Sequence, residues 1–267
     1  MKKTLITLVA LAGVATANSD NLLWTLDCTQ GQYDITMGAA WTGAPYQPNT
    51  SYDFSADSTF TTRPGYAYVN GTDKISMEEA YIGVKLADSF TISMNCSLTG
   101  VGSTTQTSTT QTSTTQTSFT LLEVSESLTW EFGVMYNTIT STVTLSANPG
   151  TYTLSNVTSH GTYDYTDISN VTLTMSGGVN EVGKVSVYIN GQLASTATMA
   201  ADNRHKNSNV NHGLTFLQKR DHSDGRYGFI GGVSSVSLYN AVTVPEPTTA
   251  TLSLLALIGL AMHRKRK

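Results

Sequence analysis

In Phe90-Thr91-Ile92-Ser93-Met94-Asn95-Cys96-Ser97-Leu98, every second residue is apolar and the residues between are small and polar. Side chains of an extended strand point alternately to opposite faces, so a run of this kind covers a core on one side and meets water on the other. The same period returns in Leu22, Trp24, Leu26 and Cys28, in Trp130, Phe132, Val134 and Tyr136, in Val171, Leu173 and Met175, and in Val185, Val187 and Ile189. Turn-forming stretches such as Ala147-Asn148-Pro149-Gly150 and Ser176-Gly177-Gly178-Val179-Asn180 separate these runs, which is the punctuation of antiparallel sheets. No amphipathic helical segment of useful length interrupts them. The best is Ser76-Met77-Glu78-Glu79, a capping-box sequence that opens one or two turns. The pattern predicts an all-β chain, folded as an antiparallel β-sandwich.

The two ends follow other rules. Residues 1–17 carry Lys2 and Lys3, an apolar stretch from Leu5 to Val14, and Ala15-Thr16-Ala17, the small-x-small pattern of a secretory cleavage site. At the other end, Pro245 and Pro247 stop any element running in from the body. They are followed by an uncharged, mostly apolar run and then by the basic block His263-Arg264-Lys265-Arg266-Lys267. An apolar run with a basic flank reads as a membrane stop with its basic end held cytoplasmic. The run is shorter than a comfortable bilayer span, so it suits transient anchoring as well as permanent anchoring.

Val244-Pro245-Glu246-Pro247, the apolar segment Leu252 to Met262 and the basic terminus resemble, in that order, the PEP-CTERM sorting signal of Gram-negative bacteria. The resemblance covers residues 245–267. It implies export through the inner membrane, processing by exosortase-type sorting machinery, and delivery to the cell surface, outer membrane or extracellular matrix. The alternative is a weak anchor without processing.

Between these ends lies a body of residues 18–244, a length that suits one large β domain. It keeps 9 of the 15 Lys and Arg and 18 of the 19 Asp and Glu, giving a net charge near −9. Such a surface repels nucleic acid and anionic membranes, and no basic patch argues otherwise. Residues 103–118 hold Ser-Thr-Thr-Gln-Thr three times over, a low-complexity loop too polar to order a core and expected to be disordered; its hydroxyls leave O-glycosylation open beside the simpler reading of an inert insertion. Cys28 and Cys96 sit at core-facing positions of two predicted strands. In an oxidising compartment they either form a disulfide or remain two buried thiols.

Asn190-Gly191, between Val185-Ser186-Val187-Tyr188-Ile189 and Gln192-Leu193, is a hairpin signal, because a type I′ turn needs positive φ at both central residues. A two-residue turn sets Tyr188 opposite Leu193. This Tyr-Ile-Asn-Gly-Gln-Leu segment, the stretch from Phe229 to Asn240 and the Phe90 strand resemble the laminin-G-like members of the concanavalin A-like lectin/glucanase superfamily. The resemblance covers most of Leu22 to Val242 and implies a concanavalin A-like jelly roll. Asp167-Ile168-Ser169-Asn170 stands where many members have a Trp-x-His lead, and Val233-Ser234-Ser235 replaces a frequent acidic pair. These departures leave the sheet intact and put in doubt any calcium or ligand contact carried over from relatives.

Glycoside hydrolysis usually needs two facing carboxylates. The Glu-x-Asp-x-x-Glu motif of the glucanase branch is absent, and Glu123-Val124-Ser125-Glu126 has an odd spacing that sends its acids to opposite faces. No Gly-x-Ser-x-Gly elbow occurs. His160, His205, His212 and His222 lack zinc-ligand spacing and read as exposed loop residues. The polar turns around Asp202 and around Asp221, Asp224 and Arg226 are either solvated loops or a calcium or sugar site. The leading expectation is non-catalytic glycan binding or adhesion at the cell surface. A structural matrix protein without a discrete ligand and a divergent glycosidase are the alternatives.

Overall fold

The computed structural model describes residues 19–28, 34–39, 61–63, 66–70, 75–77, 89–102, 105–107, 113–126, 129–147, 153–177, 181–200, 212–217 and 228–243. Seventeen strands follow one another along these residues: β1 (Leu22–Asp27), β2 (Asp34–Met37), β3 (Thr61–Arg63), β4 (Tyr66–Asn70), β5 (Ile75–Met77), β6 (Phe90–Val101), β7 (Thr105–Thr107), β8 (Ser113–Thr115), β9 (Ser118–Glu126), β10 (Thr129–Asn137), β11 (Thr142–Ala147), β12 (Leu154–Ser159), β13 (Asn170–Ser176), β14 (Gly183–Ile189), β15 (Gln192–Met199), β16 (His212–Phe216) and β17 (Phe229–Tyr239). The described helices are single 3-10 turns at Ser19–Asn21 and Tyr165–Asp167.

A ten-stranded sheet runs in the order β12-β15-β14-β13-β6-β17-β1-β2, with β4 also on β17 and β3 on β4. A five-stranded sheet runs β11-β10-β9-β16-β5. All ladders are antiparallel, and the two sheets bury their facing sides in one core, so the chain is an antiparallel β-sandwich. The period-two rows become that core: Phe90, Ile92, Met94, Cys96 and Leu98 of β6 are buried, as are Val171, Leu173 and Met175 of β13 and Val185, Val187 and Ile189 of β14. Between the sheets, Phe229 of β17 meets Phe119 of β9 edge to face at 5.9 Å and Tyr136 of β10 at 6.0 Å. Tyr136 donates to the Tyr163 carbonyl at 2.7 Å, so its hydroxyl is satisfied inside the apolar packing.

The Asn-Gly turn forms as the sequence predicts. Asn190 and Gly191 have φ of 51° and 80°, and Tyr188 pairs with Leu193. Asn190 does more than tolerate the turn. Its Oδ1 accepts from Ser169 N, Ser169 Oγ and Asn170 N, and its Nδ2 donates to the Asp167 carbonyl at 2.7 Å, which ties the hairpin to the start of β13.

Two expectations need correction, and of the two readings left open for the cysteines the structure has the buried thiols. The Ser/Thr repeat, expected to be disordered, pairs part of itself: β7 and β8 form an antiparallel ladder from Thr105↔Thr115 to Thr107↔Ser113. The threonine-rich backbone suits an extended conformation, and its hydrogen bonds need no core to form. Ser76 and Met77, read as opening a helical turn, lie on β5 and pair with Thr215 and Leu214 of β16, so ladder pairing overrides the local capping signal. Cys28 and Cys96 are both buried but are not joined. β17 lies between their strands: the Cys28 amide donates to Ser234 O, while Cys96 pairs with Val233. Two strand spacings put their Cα atoms about 10 Å apart, beyond the reach of a disulfide at about 7 Å.

The middle of β17 is tightly built. A Cβ on Gly231 would lie 2.3 Å from Ser97 O and 2.9 Å from Leu98 Cα, both backbone atoms of β6. Gly231→Ala is therefore expected to destabilise the fold by about 1–3 kcal/mol, since the ladder must move to admit the methyl. Thermal unfolding checks this, and an unchanged melting temperature would contradict it.

Candidate functional site

The outer side of the large sheet is a carpet of hydroxyls and amides, because the positions alternating with the core rows are Ser, Thr and Asn. Asn170 Nδ2 donates to Asn95 Oδ1 at 2.9 Å and to Ser93 Oγ at 3.1 Å, and Asn95 Nδ2 donates to Ser235 Oγ at 2.9 Å. These groups satisfy one another across β13, β6 and β17. Toward the β12 edge the carpet opens into a depression of about 400 Å³, lined by Asn156, Thr158, Lys184, Thr196, Thr198, Val182 and the chain at Gly183 and Ala197.

The depression follows from a break in the ladder. Ser155 pairs with Thr198 and Thr158 with Thr196, so Asn156 and Val157 together oppose Ala197 alone. This β-bulge puts Asn156 at φ 52°, the left-handed region that Asn tolerates better than most residues, and bends the edge strand. Thr158 and Thr196 then lie with their hydroxyl oxygens 2.7 Å apart, and Thr158 Oγ1 is 3.3 Å from His160 Nε2. Lys184 is exposed on β14 opposite Thr198, and Val182 is 63% exposed beside it. Further along the same face of β14, burial raises the Tyr188 hydroxyl above its ordinary pKa while a hydrogen bond with Ser186 pulls it back down. Among the described residues the lining thus offers hydroxyls, one amide, one cation and the apolar side chain of Val182, with no carboxylate.

The residues singled out from the sequence lie elsewhere. Asp202, Asp221, Asp224 and Arg226 fall outside the described residues, as do residues 1–17, His205, His222 and the motif Val244, Pro245, Glu246 and Pro247. The chain leading to that motif is described. Thr91 Oγ1 donates to Ala241 O at 2.8 Å and accepts from Thr243 N at 2.8 Å, so the end of the body is strapped to the outer face of β6. His160 is exposed, whereas His212, read as a loop residue, belongs to β16 and pairs with Glu126. Among the described residues no group of three metal-ligating side chains gathers, and no helix is long and apolar enough to cross a membrane.

Glu123 is fully buried on β9 of the small sheet, opposite Thr215 and Gly133. Thr215 Oγ1 is buried without a hydrogen-bond partner. Among described side chains Glu123 is the sole carboxylate of that sheet. The groove residues carried no signal in the sequence, where Thr158, Thr196 and Thr198 look like any other threonine of the chain. The one trace is Asn156-Val157, where the alternation of β12 breaks.

No protein-family model matches the chain, and no curated protein sequence matches it significantly. Solved structures with a similar course of the chain include a sialidase of Trypanosoma rangeli in complex with 2,3-difluoro-KDN, at 15% identity and a TM-score of 0.48, covering 70% of this chain and 27% of that one. The CBM40 of the Ruminococcus gnavus IT-sialidase bound to α2,6 sialyllactose is similar at 15% identity and a TM-score of 0.38, over 67% of this chain and 88% of that one. The carbohydrate recognition domain of Emp47p gives 10% identity and a TM-score of 0.38, over 69% and 86%. The chain thus spans about a quarter of the length of the sialidase chain that it matches.

The buried Cys96 thiol gives this structure a signature in alkali. Burial pushes Cys96 up from 9.0 to about 12, so the folded chain keeps that proton while the unfolded chain releases it near 9. The unfolded state then binds fewer protons, and stability, full below pH 9, is expected to fall between pH 9 and about 12 by up to ~1.4 kcal/mol per pH unit. Denaturant unfolding of the parent and of Cys96→Ala across this range checks it: the variant is expected to show the shallower loss, and equal slopes would contradict the assignment.

Proposed function

We propose that this chain is an exported β-sandwich that binds glycan without cleaving it, at the cell surface or in its matrix, through the groove over β12, β15 and β14. The observation that carries the reading is the lining of that groove. Sugar-binding sites combine a few fixed polar groups with an apolar contact for the C–H faces of the ring. Thr158, Thr196, Thr198 and Asn156 supply the first, and Val182 supplies the second. Glycosidic cleavage usually employs a pair of carboxylates at the sugar, and the described lining residues include none, which supports binding over cleavage. The amino-terminal export pattern and the ordered PEP-CTERM elements of residues 244–267 support delivery to the surface by exosortase-type machinery, with a transient membrane anchor on the way.

A glycan-array assay of the purified, detergent-solubilised full chain, run with calcium and with chelator, tests the reading. Saturable binding to one glycan class is expected, without release of cleaved product. Thr196→Val, which removes a groove hydroxyl at nearly constant volume, is expected to weaken it about tenfold, the size of one lost hydrogen bond. A blank array from folded protein would favour a structural matrix role without a discrete ligand. Cleavage of the bound glycan would instead restore the glycosidase alternative, and loss of binding in chelator would direct attention to Asp202, Asp221, Asp224 and Arg226.

A further inference from the structure

We infer that the groove selects acidic glycans, polymers bearing carboxylate groups, and that Lys184 is the residue that reads the acid. This rests on the glycan-binding reading and names the ligand class of the same groove. The body as a whole is acidic, with 9 basic against 18 acidic residues in 18–244, so a generic polyanion meets net repulsion over most of its surface. The groove departs from that average. Among the described residues its lining includes one cation, Lys184, and no carboxylate.

Lys184 is held in place from both sides by the ladder: its backbone pairs with Ser176 of β13 and with Thr198 of β15, and Ser176 Oγ donates to the Lys184 carbonyl at 3.4 Å. Its side chain is exposed on the outer face of β14. Glu181, three residues earlier, is exposed and does not line the groove. Thr198, Thr196, Thr158 and Asn156 line the same depression as Lys184. A uronic acid residue carries a carboxylate and hydroxyls on a single ring. The ammonium suits the first and the hydroxyl row suits the second, with the contact strengthened because one member of each hydrogen bond is charged.

The test compares binding of the full chain to polygalacturonate and to the same polymer after reduction of its carboxyl groups to alcohols, which preserves the backbone and removes the charge. Binding to the acidic polymer is expected, at least tenfold weaker on the reduced polymer and weakening with added salt. Lys184→Gln is expected to lose the preference and Lys184→Arg to keep it; position 184 is exposed, so both variants are expected to fold, as circular dichroism would verify. Equal binding of the two polymers, or a preference that survives Lys184→Gln, overturns the inference. If Thr196→Val still weakens that binding, the groove reading stands without it. Failure of every glycan to bind overturns the groove reading itself.

Discussion

The sandwich depends on where β17 lies. This last strand pairs along its whole length with β6 on one side, and on the other with β4 through Ile230–Val233 and then with β1 through Ser235–Tyr239. It therefore joins the first strand of the body to the middle of the large sheet, and Phe229 at its start fills the gap to β9 and β10. Until β17 docks, β6 and β1 each have an open edge toward the other, and the core between the sheets lacks its aromatic contact. A strand so placed closes contacts of long sequence separation, so the large sheet can be completed only after most of the chain is present.

The same placement accounts for the cysteines and for the exit of the chain. Cys28 and Cys96 face the core from either side of β17, and the intervening strand keeps them apart. Their burial serves packing, with Cys96 held as a neutral thiol whose sulfur lies 3.7 Å from the Ile168 carbonyl. Beyond Tyr239 the chain turns onto the outer face of β6 and is caught by Thr91, on the side of the sheet that carries the hydroxyl carpet. The segment leading to Val244-Pro245-Glu246-Pro247 thus starts from a fixed point and on the same face as the groove.

How much of this was legible in the sequence depended on which interactions set each feature. The core rows of β6, β13 and β14 were legible because period-two burial is a property of a single strand, and the Asn-Gly hairpin was legible because its backbone angles belong to two residues. The choice between a disulfide and two buried thiols stayed open because the spacing of Cys28 and Cys96 depends on strand order, which alternation does not encode. Ser76 joined a strand because pairing with Thr215 outweighed a local cap. The groove was illegible for a related reason: the bulge at Asn156 exists only relative to β15, and its threonines are uniform with the rest of a chain rich in them. Position within the sheet, rather than residue type, distinguishes Thr196 from the many threonines that only cover the surface.

The central claim is that the β12 edge of the large sheet is where this protein meets its ligand. Hydrogen–deuterium exchange of the full chain with and without a bound polysaccharide tests it most directly. The account predicts added protection confined to β12, to β15 around Thr196–Thr198, and to β14 around Lys184. Protection on the small sheet around Glu123 and Thr215, with the β12 edge unchanged, would contradict it.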